Sequence, residues 1–255
     1  MYKNELEVAR SIAKQAGQIM RQYFYHDQQR QVKSDGTPLT IADTTINSLV
    51  IKELAKSFPD DIVIGEEEST GSYGMGRRWL CDPIDGTKAF TWGVPTAMFS
   101  LALVVDGRPV LGVCYEPMLD RMYWAVSGQG AFCNDTQLSV NSDGLDVGTV
   151  AVMSDASAIV GSHAIANMVA KGVTTASFSG AVAKAVRISE GRFVGYVDER
   201  VNPYDMAAVD VIITESGGSI TNRDGDLLDY SQDFKGAVVS NGVVHDNILS
   251  IISVV

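Results

Sequence analysis

Two carboxylates three residues apart directly follow an apolar run of the sequence. Asp82 and Asp85 lie in the segment W-L-C-D-P-I-D-G-T at 79–87, whose proline and glycine predict a turn. Residues at this spacing around a turn can converge, and the amides of Gly86 and Thr87 would be free to bind an anionic oxygen. The segment therefore predicts a place where carboxylates and backbone N–H groups meet.

Further carboxylates stand at the ends of other predicted elements. Glu66 follows a short apolar run, and Asp205 stands where a helix is predicted to begin. Each acid has a simpler interpretation: Asp205 as a helix N-cap and the acids at 66–68 as a solvated run. Asp82 and Asp85 could likewise be turn formers. Taken as one set, converging carboxylates repel one another unless cations lie between them, and ligands that are all oxygen favour Mg²⁺ over Zn²⁺.

The overall charge limits the classes of molecule that the protein is expected to bind. The 255 residues include 20 Lys and Arg against 31 Asp and Glu, a net charge of −11 that repels the phosphates of nucleic acids. Bound Mg²⁺ would still let such a protein hold a small phosphorylated substrate and activate a water. No apolar run approaches the roughly 20 residues of a membrane span. The first residues lack a secretory pattern, so we expect a cytoplasmic protein with neither nucleic-acid nor membrane partners.

The elements that must position these acids follow from hydrophobic periodicity. Helices are predicted at 4–24 and 43–58, with a turn or hairpin at 33–38 between them. Short β-rich runs follow and predict a largely antiparallel first sheet. Its strand candidates lie at 62–64, 79–81, 99–105, 110–115, 122–125, 137–140 and 150–153.

After these strands the sequence pattern changes from short β-rich runs to mainly helical periodicity. Helices are predicted at 158–171, 180–190 and 205–216, with a strand at 193–197. We expect an α+β fold with layered α-β-α-β-α order, in which a largely antiparallel N-terminal sheet packs rigidly against a smaller C-terminal α/β lobe. The predicted lobes are 1–145, which carries most of the metal ligands, and 146–255, which carries Asp205 and the substrate-recognition residues.

Four motifs stand in a fixed order along the chain. They are T-I-A-D at 40–43, G-E-E-E-S at 65–69, W-L-C-D-P-I-D-G-T at 79–87, and Y-D-M-A-A at 204–208 followed by E-S-G-G at 215–218. With these motifs the chain resembles the inositol monophosphatase family, part of the lithium-sensitive, magnesium-dependent phosphatase superfamily. The resemblance covers nearly the whole chain and implies a metal-dependent phosphatase.

The resemblance implies a ligand set for two Mg²⁺ ions. The first ion would be held by Glu66, Asp82 and the carbonyl of Ile84, and the second by Asp82, Asp85 and Asp205. A third, weaker Mg²⁺ is common in the family. Inhibition by Li⁺ and a homodimeric assembly are further expectations from the resemblance.

Catalytic and phosphate-binding roles also come from the resemblance. Thr87, supported by Asp43 and with Glu66 nearby, would orient and deprotonate the attacking water. The amides of Gly86 and Thr87, beside Asp85, would take the phosphate oxygens. Attack on phosphorus would be in line, without a covalent phospho-enzyme.

The residues that would contact the substrate alcohol match the family less closely. A turn of small residues corresponds to Ser179, Gly180 and Ala181, and an acid seven residues before the last metal ligand corresponds to Asp198, where the family usually has Glu. Beside the metal motif, many inositol phosphatases read G-T-x-N-F, whereas this chain has G-T-K-A-F at 86–90, with Lys88 after the threonine. A basic residue there also occurs in relatives that hydrolyse histidinol phosphate or nucleotide bisphosphates.

We therefore predict a magnesium-dependent phosphomonoesterase acting on a small polyol phosphate, inositol monophosphate first. One alternative is a histidinol-phosphate phosphatase. A second is a nucleotide or sugar bisphosphate phosphatase, for which Lys88, Arg77, Arg78 and Arg200 are the candidate cations for a second phosphate. The non-enzymatic alternative is an interaction protein that a bound metal stabilises.

Overall fold

The computed structural model describes residues 1–34 and 36–253, which form a mixed α+β fold. The helices are α1 (Lys3–Tyr23), α2 (Ile41–Ser57), α3 (Thr87–Thr91), α4 (Ala156–Gly161), α5 (His163–Ala170), α6 (Ala181–Ser189), α7 (Pro203–Glu215) and α8 (His245–Ile252). The strands are β1 (Gln31–Val32), β2 (Pro38–Leu39), β3 (Ile62–Gly65), β4 (Arg77–Asp85), β5 (Met98–Val105), β6 (Arg108–Glu116), β7 (Arg121–Val126), β8 (Ala131–Cys133), β9 (Thr136–Gln137), β10 (Thr149–Val152), β11 (Thr174–Ser177), β12 (Gly195–Asp198), β13 (Ser219–Thr221) and β14 (Ala237–Ser240).

The two N-terminal helices form where periodicity predicts them. In α1 the residues Ala9, Ile12, Ala16 and Met20 recur at helical spacing and are at most 1% exposed. The predicted hairpin between the helices is the antiparallel pair β1 and β2. None of the helices within 1–34 and 36–253 combines the length and the apolar character needed to cross a membrane.

The first sheet has seven strands in the order β3-β4-β5-β6-β7-β8-β9. β3 and β4 are parallel, and every other neighbouring pair is antiparallel, which confirms the predicted character of this sheet. The tight turn at Asp106 and Gly107 joins β5 to β6, and both residues have positive φ. The D-P-I-D segment lies at the buried end of β4, immediately before α3.

The second sheet has five strands in the order β11-β10-β12-β14-β13. β10 is parallel to β11 and β12, whereas β14 is antiparallel to β12 and β13. The run 150–153, predicted with the strands of the first sheet, is thus part of β10 in the second. Periodicity cannot make that distinction, because it reports which residues of a strand are buried and not which sheet the strand joins.

The layers follow the predicted α-β-α-β-α order. One core cluster packs α1 and α2 on one face of the first sheet. A second places α6 and α7 between the two sheets, and a third covers the outer face of the second sheet with α5 and α8. The central cluster includes Leu80 from the first sheet and Tyr196 from the second, so both sheets share one buried core. The division at 145 and 146 stays a prediction.

One helix predicted in the second half is divided in two in the structure, and α7 begins at Pro203 instead of residue 205. A single helix is expected at 158–171, but α4 ends at Gly161 and α5 begins at His163. Ser162 separates them as the N-cap of α5, and its side chain accepts a hydrogen bond from the amide of Ile165 at 3.2 Å. A serine oxygen competes with helix continuation in this way.

Candidate active site

The end of β4 carries both acids of the D-P-I-D segment. Asp82 pairs with Ser100 and Asp85 with Met98 on β5. A separation of three residues on β4 therefore lies opposite a separation of two residues on β5. Side chains alternate between the faces of a strand, and a separation of three would place the carboxylates on opposite faces. The bulge at 83–84 inserts one extra residue and turns them to the same side. The predicted turn is therefore confined to Gly86, because the strand continues through Asp85.

Asp205, near the start of α7, meets these two acids. One oxygen from each of Asp82, Asp85 and Asp205 lies within 4.8 Å of the other two. The three residues are 3%, 5% and 8% exposed, respectively. A compact set of buried carboxylate oxygens is the kind of donor set that hard divalent cations take. The three acids therefore form a cluster that could bind a metal ion.

The charges of the cluster also favour a cation. Burial raises the pKa of Asp82 well above its usual range, and repulsion from Glu66 and Asp205 adds to the effect. Burial likewise raises the pKa of Asp85 to about 6 and that of Asp205 to about 7. A divalent cation between them would favour the ionised carboxylates and offset their repulsion. The residues present therefore fit the Mg²⁺ that the sequence predicts.

Asp205 and Asp43 hold equivalent positions on two helices. The amide of Asn202 donates to Oδ2 of Asp205 at 2.7 Å, and the amide of Thr40 donates to Oδ2 of Asp43 at 2.8 Å. Both acids are the third residue of their helix and complete capping boxes. Asp205 therefore caps its helix, but as the third residue of the helix. The N-cap itself is Asn202, three residues before the position that the N-cap interpretation assigns. Capping fixes the direction of each carboxylate at its helix start.

Asp85 links the first sheet to the start of α6. Its Oδ1 accepts the amide of Ala181 at 2.8 Å, and its Oδ2 accepts the amide of Val182 at 2.9 Å. The N-terminus of a helix stabilises a carboxylate in this way. A Cβ on Gly86 would lie 3.1 Å from Cα of Gly180, so the two backbones approach closely at glycine positions. The turn of small residues thereby lies beside the acids, as expected.

Thr87 begins α3 immediately after this close approach. Its hydroxyl faces two acceptors, the carbonyl of Ile84 at 3.0 Å and Oδ1 of Asp43 at 3.5 Å. Burial raises the pKa of Asp43 to about 7, although hydrogen bonds from Thr40 oppose the shift. The structure therefore brings together the predicted pair of Thr87 and Asp43, 44 positions apart in the chain.

Glu66 lies beside the three-carboxylate cluster and is paired with a lysine. Nζ of Lys33 lies 2.8 Å from Oε1 of Glu66 and also contacts Glu67. Attraction to Glu66 raises the pKa of Lys33 despite its burial, which acts in the opposite direction. Sequence reasoning missed Lys33, and its only signal was a lysine in the hairpin just before the T-I-A-D motif.

A cavity of about 410 Å³ opens over these residues. Of the predicted site residues, those that line it are Glu66, Asp85, Gly86, Thr87, Ser179, Gly180, Ala181 and Asp198. Asp82, Ile84 and Asp205 lie behind this lining, and Asp43 reaches it through Thr87. One cavity thus brings together the residues predicted for metal, phosphate and alcohol.

A buried network that sequence reasoning missed stands behind Asp198. The hydroxyl of Tyr196 donates to Oδ2 of Asp198 at 2.7 Å. Nζ of Lys184 lies 4.8 Å from the centre of the Tyr196 ring and donates to the carbonyl of Val152 at 3.1 Å. Lys184 is 1% exposed, and burial lowers its pKa while Asp198 and Asp85 oppose that shift. The available signal was a lysine on the apolar stripe of α6.

The candidate cations for a second phosphate divide into two pairs. Arg77 lies 2.8 Å from Asp61, and Arg78 donates to a backbone carbonyl in the loop before β4. Neither lines the cavity, so the prediction for these two is wrong. Lys88 and Arg200 do line it. The sequence alone could not separate the pairs, because strand β4 fixes where Arg77 and Arg78 point.

Comparison with known proteins places this geometry in a family. The model of the inositol monophosphatase family matches residues 1–254. A histidinol-phosphatase from Mycobacterium tuberculosis is 33% identical over 263 aligned positions, covering 98% of each chain. A fructose-1,6-bisphosphatase/inositol-1-monophosphatase from Thermotoga maritima is 31% identical over 223 positions, covering 84% of this chain and 82% of the relative.

The fold agrees with that of a solved relative. An inositol monophosphatase structure from Thermotoga maritima superposes with a TM-score of 0.87 at 26% identity and covers 99% of this chain and 97% of its own. These relatives are phosphatases, which supports assignment of the chain as a phosphoric monoester hydrolase. The order of the motifs, the layered fold and the acidic cluster all agree with these matches. The chain belongs to the inositol monophosphatase family.

Proposed function

We propose that the protein is a magnesium-dependent phosphomonoesterase that hydrolyses a small polyol phosphate to the free alcohol and inorganic phosphate. One observation carries the proposal: two buried carboxylates from β4 and one from the start of α7 converge within 4.8 Å beside the start of α3. Such convergence is costly without a cation, and the neighbouring amides suit a phosphate. A purely structural metal site has no need of the Thr87 and Asp43 pair at the same cavity.

The chain offers ligands for more than one ion. Asp82, Asp85 and Asp205 would hold one Mg²⁺, and Glu66 with Asp82 and the Ile84 carbonyl would hold another. When bound, such ions supply positive charge for the phosphoryl oxygens and lower the pKa of a water. For Glu66 to serve, it must exchange its contact with Lys33 for the cation, which leaves Lys33 paired with Glu67.

The chain's own groups would handle the proton and the phosphate. The hydroxyl of Thr87 accepts a hydrogen bond from the attacking water and points its own proton to Oδ1 of Asp43. The backbone amides of Gly86 and Thr87, at the start of α3, lack intrahelical acceptors and would bind the phosphate oxygens. Asp85, held by the start of α6, keeps these groups aligned with the second sheet.

Inositol monophosphate is the first candidate substrate. Both oxygens of Asp198 accept hydrogen bonds, one from Tyr196 and one from the amide of Arg200 at 2.9 Å. A carboxylate fixed in this way presents its remaining lone pairs to a hydroxyl of the alcohol. Histidinol phosphate is the second candidate, because three of the relatives at 31–33% identity are named histidinol-phosphatase.

Phosphate release tests the proposal directly. The purified protein is incubated with inositol monophosphate and with histidinol phosphate, each with Mg²⁺ and with a chelator. Thr87→Val is expected to lower kcat at least about 100-fold, because it removes a proton-transfer group. Thr91→Val, which removes a hydroxyl that bonds Lys88 O on the same helix, is the matched control. Equal rates with chelator and with Mg²⁺ would contradict the proposal.

Three further properties are proposed from the family resemblance. They are inhibition by Li⁺, assembly as a homodimer and a cytoplasmic location. Inhibition is measured as loss of phosphate release with added LiCl at constant ionic strength. Assembly is measured by light scattering on the eluting protein, and a mass near 27.4 kDa would contradict the dimer.

A further inference from the structure

A buried lysine lies beside the acidic cluster and has no role in the proposed mechanism. Lys184 is 1% exposed and ends the first turn of α6, directly after the two residues whose amides hold Asp85. Its side chain lines the cavity together with Asp85 and Asp198. The first turn of α6 therefore brings both backbone amides and a side-chain cation to the same part of the cavity.

This lysine has no direct ion pair. Its Nζ donates to the carbonyl of Val152 at 3.1 Å and lies 4.8 Å from the centre of the Tyr196 ring. Within 1–34 and 36–253, no carboxylate oxygen lies within 4.0 Å of this nitrogen. Arg187, three residues further along α6, instead binds both oxygens of Glu116 at 2.6 and 2.8 Å. A buried charge is costly without a partner, so more distant carboxylates must balance Lys184.

Two carboxylates supply this balance. Burial lowers the pKa of Lys184, and attraction to Asp198 and to Asp85 opposes the shift. Burial raises the pKa of Asp85, and Lys184 is among the groups that oppose this rise. Asp85 also belongs to the three-carboxylate cluster that could bind a metal ion. Because interactions between charges extend over several ångströms in a protein interior, the charge of Lys184 reaches this cluster.

We propose that Lys184 is a fixed internal cation that weakens the binding of Mg²⁺ at the cluster of Asp82, Asp85 and Asp205. This inference rests on the proposed function and adds to it a residue that sets the Mg²⁺ concentration at which the metal site fills. A lysine and a divalent ion that share the charge of Asp85 repel each other. The contacts with Val152 and Tyr196 hold the ammonium group near the cluster.

Calorimetric titration of Mg²⁺ into the wild type and into Lys184→Met at pH 7 tests the inference without substrate. Methionine has a similar length and no charge, and apolar residues of similar volume commonly replace buried charges without loss of stability. Lys184→Met is expected to bind Mg²⁺ about 5- to 50-fold more tightly. Distortion of the site would weaken binding, so structural damage cannot produce this increase.

A second neutral variant makes the test independent of the folding of the first. Lys184→Gln should also bind Mg²⁺ more tightly than the wild type. In both variants, the Mg²⁺ concentration that gives half-maximal phosphate release should fall by the same factor as the dissociation constant. Thermal unfolding in chelator checks that each variant is folded.

Two controls separate the charge of Lys184 from its surroundings. Tyr196→Phe keeps this charge and removes the hydrogen bond to Asp198, so its Mg²⁺ affinity should match that of the wild type. Lys171→Met makes the same change of net charge at the end of α5. Lys171 is exposed and is not among the described residues that line the cavity, so this variant should also bind Mg²⁺ as the wild type does.

The outcomes separate this inference from the proposed function. Unchanged or weaker binding in folded Lys184→Met and Lys184→Gln, with wild-type binding intact, would overturn the inference and leave the proposed function standing. An equal increase in Lys171→Met would assign the effect to net charge and would also overturn the inference. A wild type that binds no Mg²⁺ and releases phosphate equally in chelator would overturn both.

Discussion

The two sides of the proposed active site are built differently. On the first-sheet side, Asp82, Asp85 and Thr87 lie within six residues, and a bulge followed by a glycine turns them into place. On the other side, Asp198 ends a strand of the second sheet, and Asp205 lies at the start of α7, which packs between the two sheets. A short stretch of chain can therefore encode half of the proposed site, whereas the other half depends on how whole layers pack.

The largest expected effect comes from the first-sheet side. Asp82→Asn should lower kcat at least about 1,000-fold, because it removes an anionic ligand worth several kcal/mol of charge stabilisation. The folded protein should keep its melting temperature in chelator, since the amide oxygen can still accept the Ile84 amide, now at 3.0 Å from Oδ1. The measurements are phosphate release and thermal unfolding.

Asp210→Asn provides the control for this change. Asp210 is an acid of α7, five residues beyond Asp205, and accepts the hydroxyl of Thr214 at 3.3 Å away from the cluster. Its variant should keep phosphate release. Near-normal turnover in Asp82→Asn would remove the proposed mechanism.

The second prediction concerns the contact that ties α6 to the first sheet. Arg187 binds Glu116, whose side chain is 2% exposed, and also contacts Tyr123 and Glu190. Arg187→Met should lower the free energy of unfolding by about 3–5 kcal/mol, because it leaves a buried carboxylate unpaired. Denaturant unfolding measures the loss. Adding Glu116→Gln should restore part of it, and a single-variant loss below about 1 kcal/mol would show that packing alone joins the layers.

The third prediction concerns the point where the two sides meet. A Cβ at Gly180 would lie 3.1 Å from Oδ2 of Asp85, and φ there is +101°. Gly180→Ala should lower kcat/KM about 10- to 100-fold by displacing Asp85, and should cost about 1–3 kcal/mol of stability. Gly172→Ala is the control, since its φ is +78° but its Cβ would meet nothing within 4 Å. Equal activity in both variants would mean that position 180 requires glycine because of backbone strain at positive φ, and not because of its contact with Asp85.

The contrast also accounts for what the sequence could predict. The D-P-I-D-G-T segment and the capping motifs act over a few residues, so their chemistry and the layered fold could be inferred in advance. The sheet of β10 could not, since its partners lie 22 or more residues away. Lys184 and Tyr196 were missed because their meeting requires α6 to pack on β12. The bulge was predicted as part of the turn because only pairing with β5 distinguishes the two.

The smallest expected effect lies in the second sheet, away from the cavity. The ring of His245 bonds Ser240 at 2.8 Å and Thr221 at 3.0 Å, and burial lowers its pKa while Asp246 opposes the shift. The folded state therefore binds its proton less readily than the unfolded chain. The contribution of His245 to stability should be complete above the unfolded pKa of about 6.5 and fall below it, by at most about 1.4 kcal/mol per pH unit, while the raised pKa values of Asp43, Asp85 and Asp205 act in the opposite direction.

Denaturant unfolding between pH 8 and pH 5 measures this dependence. The unfolding free energy of the wild type relative to that of His245→Gln should fall as the pH decreases from 8 to 5, whereas its value relative to that of His163→Gln, which changes an exposed histidine, should stay constant. An identical pH dependence in the wild type and in His245→Gln would show that His245 does not contribute to it.

The central claim is that carboxylates from both sides complete one metal site. Calorimetric titration of Mg²⁺ into the wild type and into Asp205→Asn tests it without any substrate. We predict that the wild type binds Mg²⁺ and that Asp205→Asn, a change on α7 alone, weakens the affinity at least about tenfold. Equal affinity and stoichiometry in the two proteins would contradict the account, because the acids of β4 would then bind the ion without the carboxylate of α7.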